Sequence, residues 1–293
     1  MNELRLERIK YICAVVLYGT IGLFLRYANL PSEIVAMFRG LIGSLFIYLY
    51  LRYKHVSIDK KAIRNNLFLL LLSGICLGLN WIFLFASYMT TTVAIASLCN
   101  YLAPLFVIIV SPLVLHEKLE VRKLPYVALA FLGIVLVSGV FDQTGGSLIG
   151  VIYGILAALV FSIIIICNRK LKGISVYDRS IVQLIVSAFT IFPYVLIHNQ
   201  GVSISPDFRS IMIVIMLGVI HTGLAYCFYF SGMARLGVET IAILGYLEPV
   251  VSIICSTMFL HEPMSVFGWL GALLIIFSAP LQYRILGISR DQG

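Results

Sequence analysis

Charge is scarce in this sequence. Only 12% of its 293 residues are Asp, Glu, Lys or Arg, whereas 61% are hydrophobic, and the mean hydropathy is +1.03. Soluble domains carry about 25% charged and about 45–50% apolar residues. A water-facing surface cannot be built from so few charges, but a lipid-facing one can. The composition excludes a soluble protein and predicts an all-α integral membrane protein in contact with the lipid bilayer.

Several chemical motifs are missing as well. The six cysteines (Cys13, Cys76, Cys99, Cys167, Cys227 and Cys255) all lie in apolar segments and form no C-x-x-C pair. They read as small membrane hydrophobes, which argues against a disulfide framework or a metal site. No G-x-x-x-x-G-K-[ST] occurs, so direct ATP coupling within this chain is excluded. The His-Glu pairs at 116–117 and 261–262 do not complete H-E-x-x-H, because Glu120 and Ser265 stand where the second His is needed. Ser-Gly at 73–74, 138–139 and 231–232 lacks a G-x-S-x-G context. A membrane-embedded protease is thereby disfavoured, and no metal, cofactor or catalytic residue is expected. The two His-Glu pairs suit helix-end caps and gate-closing contacts better.

What the sequence has in abundance is apolar length. A helix needs about 20 apolar residues to cross the hydrocarbon. With charges, Pro and Gly as punctuation, helices are predicted near 10–27, 33–52, 66–89, 92–115, 123–140, 147–168, 178–198, 209–233, 238–260 and 265–285. The N-terminal stretch has no small-x-small cleavage site after Tyr11–Leu25 and is read as the first membrane helix rather than a signal peptide. Positive charge in short loops marks the cytoplasmic side. With the N-terminus inside, 18 of the 21 Lys and Arg residues fall inside, Arg26 and Arg209 fall outside, and Arg39 lies within a helix. Both termini are therefore expected in the cytoplasm. The net charge of +8 is then an orientation signal and implies no nucleic-acid partner.

The chain also repeats itself. Asn100–Lys118 reads NYLAPLFVIIVSPLVLHEK and Gly245–Pro263 reads GYLEPVVSIICSTMFLHEP. At an offset of 145 residues, Phe83 meets Phe228, Tyr101 meets Tyr246, Pro104 meets Pro249, Ser111 meets Ser256 and His116-Glu117 meets His261-Glu262. Two halves of five helices each must enter the membrane from opposite sides. The loop after the first His-Glu is basic (KLEVRK), and the loop after the second, PMSVFG, has no charge. The expected domains are a first repeat at 1–140, a second at 147–285 and a cytoplasmic tail at 286–293. Inverted repeats place a substrate site at their interface near the midplane.

With FRG at 38–40, GLNW at 78–81 and HTGLAY at 221–226, this order of motifs resembles EamA-type members of the drug/metabolite transporter superfamily over essentially the whole chain. The resemblance implies ten transmembrane helices as two inverted five-helix EamA repeats, acting as a secondary carrier of a small-molecule substrate. Many relatives export amino acids or other metabolites, others carry sugar phosphates or nucleotide sugars, and flippases of lipids or lipid-linked groups occur in the superfamily. It also implies a monomer or weak dimer in a prokaryotic inner (plasma) membrane, with protons as a coupling ion or exchange as the driving force.

Where the halves differ at depth, function becomes plausible. Glu248 opposes Ala103, Asn80 opposes Ala225, Asn100 opposes Gly245, His221 opposes Cys76 and Arg39 opposes Leu184. An acid at the helix centre costs on the order of 2.5–3.5 kcal/mol by insertion scales, so Glu248 is the leading candidate for binding a cationic group or carrying a proton. Its alternatives are a structural partner for Arg39 or a hydroxyl, or a protonated acid bridging helices; the resemblance implies that an acid before this proline is common. Arg39 suits carboxylate or phosphate recognition, with a salt bridge to Glu33 or Glu248, or snorkelling, as the structural alternative. His221 could relay protons or simply hydrogen-bond between helices. Trp81, Tyr101, Tyr226 and Tyr246 are candidate walls of a cavity or plain packing residues. Pro104 and Pro249 are expected to kink their helices. The small-residue spacings Gly74-x-x-x-Gly78 and Gly268-x-x-Gly271 fit close helix packing.

Overall fold

A computed structural model describes residues 2–115, 124–137, 147–198, 206–236 and 238–285. Its elements are helical throughout: α1 (Asn2–Tyr27), α2 (Ser32–Tyr53), α3 (Lys60–Asn65), α4 (Leu67–Thr90), α5 (Val93–Asn100), α6 (Ala103–Leu115) and α7 (Leu124–Val137). The second half contributes α8 (Leu148–Lys170), α9 (Val176–His198), α10 (Phe208–Met216), α11 (Ala225–Arg235), α12 (Val238–Gly245), α13 (Leu247–Ile254) and α14 (Val266–Ile285). Two π-helical segments, Leu217–Leu224 and Cys255–Phe259, follow α10 and α13. Among the described residues, six helices are long and apolar enough to cross a membrane, and four shorter apolar ones accompany them. Large side chains such as Phe68, Phe189, Ile197 and Phe277 face outward, as a lipid-facing surface requires.

Three of the predicted helices differ in detail from expectation. The span at 92–115 is not one helix but α5 and α6, interrupted at Tyr101-Leu102. The span at 238–260 is likewise α12 and α13, interrupted at Tyr246. Each break precedes the proline of the repeated Y-L-x-P by two to three residues, because proline withholds an N–H from the carbonyl one turn earlier and its ring crowds that turn. The span at 209–233 is continuous but widens at Leu217–Leu224, where the Thr222 hydroxyl donates to the Leu217 carbonyl oxygen at 2.9 Å. The stretch between the predicted helices at 33–52 and 66–89 holds the short helix α3. Asp59 caps it by accepting from the Ala62 N–H at 2.9 Å.

The packing repeats with the halves exchanged. α4 packs on α8 and α9, while the α10–α11 rod packs on α1 and α2. α5 and α6 lie on α8 as α13 lies on α1, and α2 pairs with α9 as α7 pairs with α14. Small contacts follow the same exchange. Asn66, before α4, donates to the Lys172 carbonyl oxygen and accepts from its N–H in the loop after α8. Ser210, early in α10, accepts from the Asn29 N–H in the loop after α1 at 2.8 Å. Where α7 crosses α14, a Cβ on Gly133 or Gly271 would strike the backbone of the other, so only glycine permits that approach. The Gly74-x-x-x-Gly78 face meets Val186, Ser187 and Thr190 of α9.

At the membrane ends, capping fixes the entries. Asp207 caps α10 by accepting from the Ser210 N–H at 3.0 Å. The Ser210 hydroxyl and N–H together hold the Asp207 carboxyl below its ordinary range, so the cap stays ionised.

Candidate functional site

The two interruptions meet near the centre of the bundle. Pro249 cannot donate to the Gly245 carbonyl oxygen, and the Tyr101 hydroxyl donates to it instead. The Tyr101 and Tyr246 rings lie 5.6 Å apart. The break in one half is thus bonded across the interface to the break in the other. Asn80 and Asn100 come together as well: the Asn80 amide donates to Asn100 Oδ1 at 3.1 Å and to the Ala157 carbonyl oxygen at 2.9 Å. These amides tie α4, α5 and α8 to one another.

Glu248, His221 and the middle of α2 lie at one depth. A Cβ on Gly19 of α1 would meet the Glu248 carbonyl oxygen. The next residue, Thr20, hydrogen-bonds His221 Nε2 at 3.0 Å. Thr222, beside His221, fills the space against Gly43 of α2. His221 is 2% exposed, its ring lies edge-on to Phe24, and Nδ1 has no hydrogen-bond partner. Glu248 forms neither an ion pair nor a side-chain hydrogen bond with the described residues. It is partly buried, as are Tyr226 and Tyr229. Tyr101 reaches the same break through the Gly245 carbonyl oxygen, and Tyr18, next to Gly19, packs its ring near Tyr226 and Tyr229.

Arg39 sits one turn of α2 from this level and does not snorkel, being 5% exposed. Neither of its expected carboxylate partners engages it. Its guanidinium stacks 4.2 Å over Trp81 and lies 5.5 Å from the Phe85 ring. Nε is buried without a hydrogen-bond partner. A desolvated cation on an indole face gains about 2 kcal/mol, which offsets only part of its lost hydration. The arrangement leaves polar capacity for an anion. Buried polar groups are nearly always hydrogen-bonded, so an orphaned guanidinium nitrogen calls for an explanation.

Sequence reasoning missed three contributors. Tyr18 was read as part of an ordinary first helix, yet its buried hydroxyl has no partner and its ring packs near Tyr226 and Tyr229 at 6.1 and 5.7 Å. Arg179 was read as an orientation signal, yet its guanidinium lies 5.4 Å from the Phe230 ring and its Nε is buried and unpaired. The role of Glu262 was legible only in outline. His261 adopts a left-handed backbone (φ 53°) that ends the helix, and the Glu262 N–H bonds back to the Ser256 carbonyl oxygen at 3.0 Å. The turn aims the carboxylate at α5, where Oε2 accepts from the Val93 N–H at 2.8 Å and from the Ser256 hydroxyl at 2.5 Å. Oε1 pairs with Arg26 at 2.8 Å, and Arg26 also donates to the Thr91 carbonyl oxygen. This knot joins α1, the α4–α5 corner and the end of the second-half repeat. Its repeat counterpart, His116-Glu117, lies outside the described residues.

Comparison with known proteins places this geometry. The EamA-like transporter family model matches residues 9–139 and 148–283. An uncharacterized transporter of Bacillus subtilis, YxxF, is 29% identical over 273 residues, covering 91% of this chain and 86% of its own. The pseudopaline exporter CntI of Pseudomonas aeruginosa is 23% identical over 249 residues, covering 85% of each. A solved structure superposes with a TM-score of 0.68 at 18% identity, covering 97% of this chain and 99% of the other, which establishes a shared fold. With both halves matched by the family model, the chain belongs to the EamA-like transporter family of the drug/metabolite transporter superfamily.

Proposed function

We propose that this transporter exports a small organic metabolite bearing an amino group and an acid group, such as an amino acid or a derivative. The observation that carries the reading is the pairing state of two opposite charges. Arg39 and Glu248 lie about one helical turn apart in depth, and neither is neutralised by the other or by another described residue. Arg39 binds the acid group and Glu248 the amine, while Trp81, Tyr226 and the Tyr101–Tyr246 pair form the walls. Export agrees with the role that the Pseudomonas relative, a pseudopaline exporter, bears in its name.

Transport proceeds by alternating access, with the two repeats exchanging roles about the central breaks. Glu248 also accepts the counter-moving proton, so solute and proton compete for one carboxylate. Both termini face the cytoplasm, the repeats span 1–140 and 147–285, and one chain suffices as the transport unit.

Glu248→Gln in proteoliposomes tests the coupling. The variant is expected to lose uptake driven by a pH gradient while retaining part of its solute counterflow. Loss of folding together with both activities would assign Glu248 to the architecture instead.

A further inference from the structure

A second partly buried cation, Arg179, was singled out by neither the composition nor the repeat pattern. α2 and α9 run antiparallel. Gly40 packs against Leu184 and Ser187, and Tyr50 packs against Tyr177 with ring centroids 6.1 Å apart. By that register Arg179 lies roughly eight residues further along α2 than Arg39, a separation of about 12 Å. Glu248, level with Gly43, falls midway between them. In depth, cation, acid and cation therefore follow one another at intervals of about one turn. Tyr226 stacks at 5.4 Å on Phe230, the ring beside Arg179, and lies 6.1 Å from Tyr18.

Arg179 is not a surface residue held by water or an acid. Among the described residues no carboxylate pairs with its guanidinium. Nε is buried and unsatisfied, and the guanidinium adjoins the Phe230 ring. Tyr229 packs on Phe230 at 5.5 Å and lies 5.7 Å from Tyr18. Arg179 shares two features with Arg39: an aromatic support and an orphaned Nε. The two arginines also stand on α2 and α9, which exchange under the repeat, each toward a different end of the bundle.

We infer that the site is built for an amino acid carrying a second acidic group, with Arg179 as the binding residue for that second group. The amino-acid head lies between Arg39 and Glu248, and the chain runs past Glu248 toward Arg179. This rests on the reading of the central space as the solute site. A solute with only one acid leaves Arg179 unpaired, and a charge-assisted bond at a desolvated guanidinium contributes about tenfold or more in affinity.

The test uses the full chain in lipid nanodiscs with Trp269→Phe, which leaves Trp81, stacked against Arg39, as the fluorescent reporter. It is titrated with 2-aminosuberate and with 2-aminooctanoate, which lacks the second carboxylate. The expected result is that 2-aminosuberate binds about tenfold tighter, that Arg179→Gln brings the ratio close to one, and that Arg179→Lys keeps part of it. Arg39→Gln is expected to weaken both compounds. A wild-type ratio near one, or a ratio that survives Arg179→Gln, overturns the second acid site while leaving the central site standing. If neither compound perturbs Trp81 in the wild type, the central site falls and this inference with it. Size-exclusion profiles matching wild type establish that each variant is folded, and Arg179→Lys keeps the comparison decisive if Arg179→Gln is not.

Discussion

Single residues decide the chemistry available here, and Arg39 illustrates how. A guanidinium is planar, so it can lie flat on the Trp81 indole while its edge stays free for an anion. Lysine keeps the charge but neither stacks nor forms a bidentate fork. Arg39→Lys is therefore expected to reduce apparent solute affinity about tenfold or more while the protein still purifies as a monodisperse species. A transport KM unchanged from wild type would remove Arg39 from the binding site. Of these residues, Glu248 and Arg39 were legible in the sequence because ionisable groups at membrane depth are costly. Tyr18 was not, since a tyrosine in an apolar helix looks the same whether its hydroxyl is bonded or bare. Arg179 was masked by its position beside Arg169, Lys170 and Lys172, where cations merely orient the chain.

At the level of elements, the repeated Y-L-x-P and His-Glu motifs acquire distinct mechanical roles. The first breaks a membrane helix in each half and lets Tyr101 satisfy the carbonyl that Pro249 leaves free. The second ends a helix and redirects Glu262 onto α5 and Arg26, closing the bundle at the end where α1 finishes. The alternating access proposed above opens that end only when these bonds part. Glu262→Gln removes the ion pair and weakens the cap, and is expected to raise severalfold the rate at which a thiol placed at Tyr18 reacts with an impermeant reagent added from that side. An unchanged labelling rate would mean that the knot is a static clasp. The interruptions themselves were legible only as kinks at proline. Their location at the tyrosines depends on which carbonyls find partners across the interface, and no single helix contains that information.

For the whole molecule, the exchange of contacts between halves and the odd helix count per half imply opposite insertion of the two repeats. Charge counting gives the face expected to be cytoplasmic. In a chain lacking its six native cysteines, a cysteine at Ser57 is expected to be labelled only after permeabilisation, and one at Pro206 from outside intact cells. Both positions are exposed. The reverse pattern would invert the topology and with it the assignment of Arg179 to the cytoplasmic half of the site.

The sequence by itself determined the membrane class, the approximate helices, the duplication and the family, because each rests on local composition or on order along the chain. It also nominated Glu248, since desolvating an acid is costly wherever the chain goes afterwards. The tertiary structure alone decided that Asn80 and Asn100 bond to each other and that Arg39 stacks on Trp81 without pairing with Glu33 or Glu248. It alone set Arg39, Glu248 and Arg179 at successive depths. Those outcomes depend on the register between α2 and α9 and on the depth of the α12–α13 break. Both are set where glycine and small side chains allow two helices to close, which becomes defined only when the halves pack together.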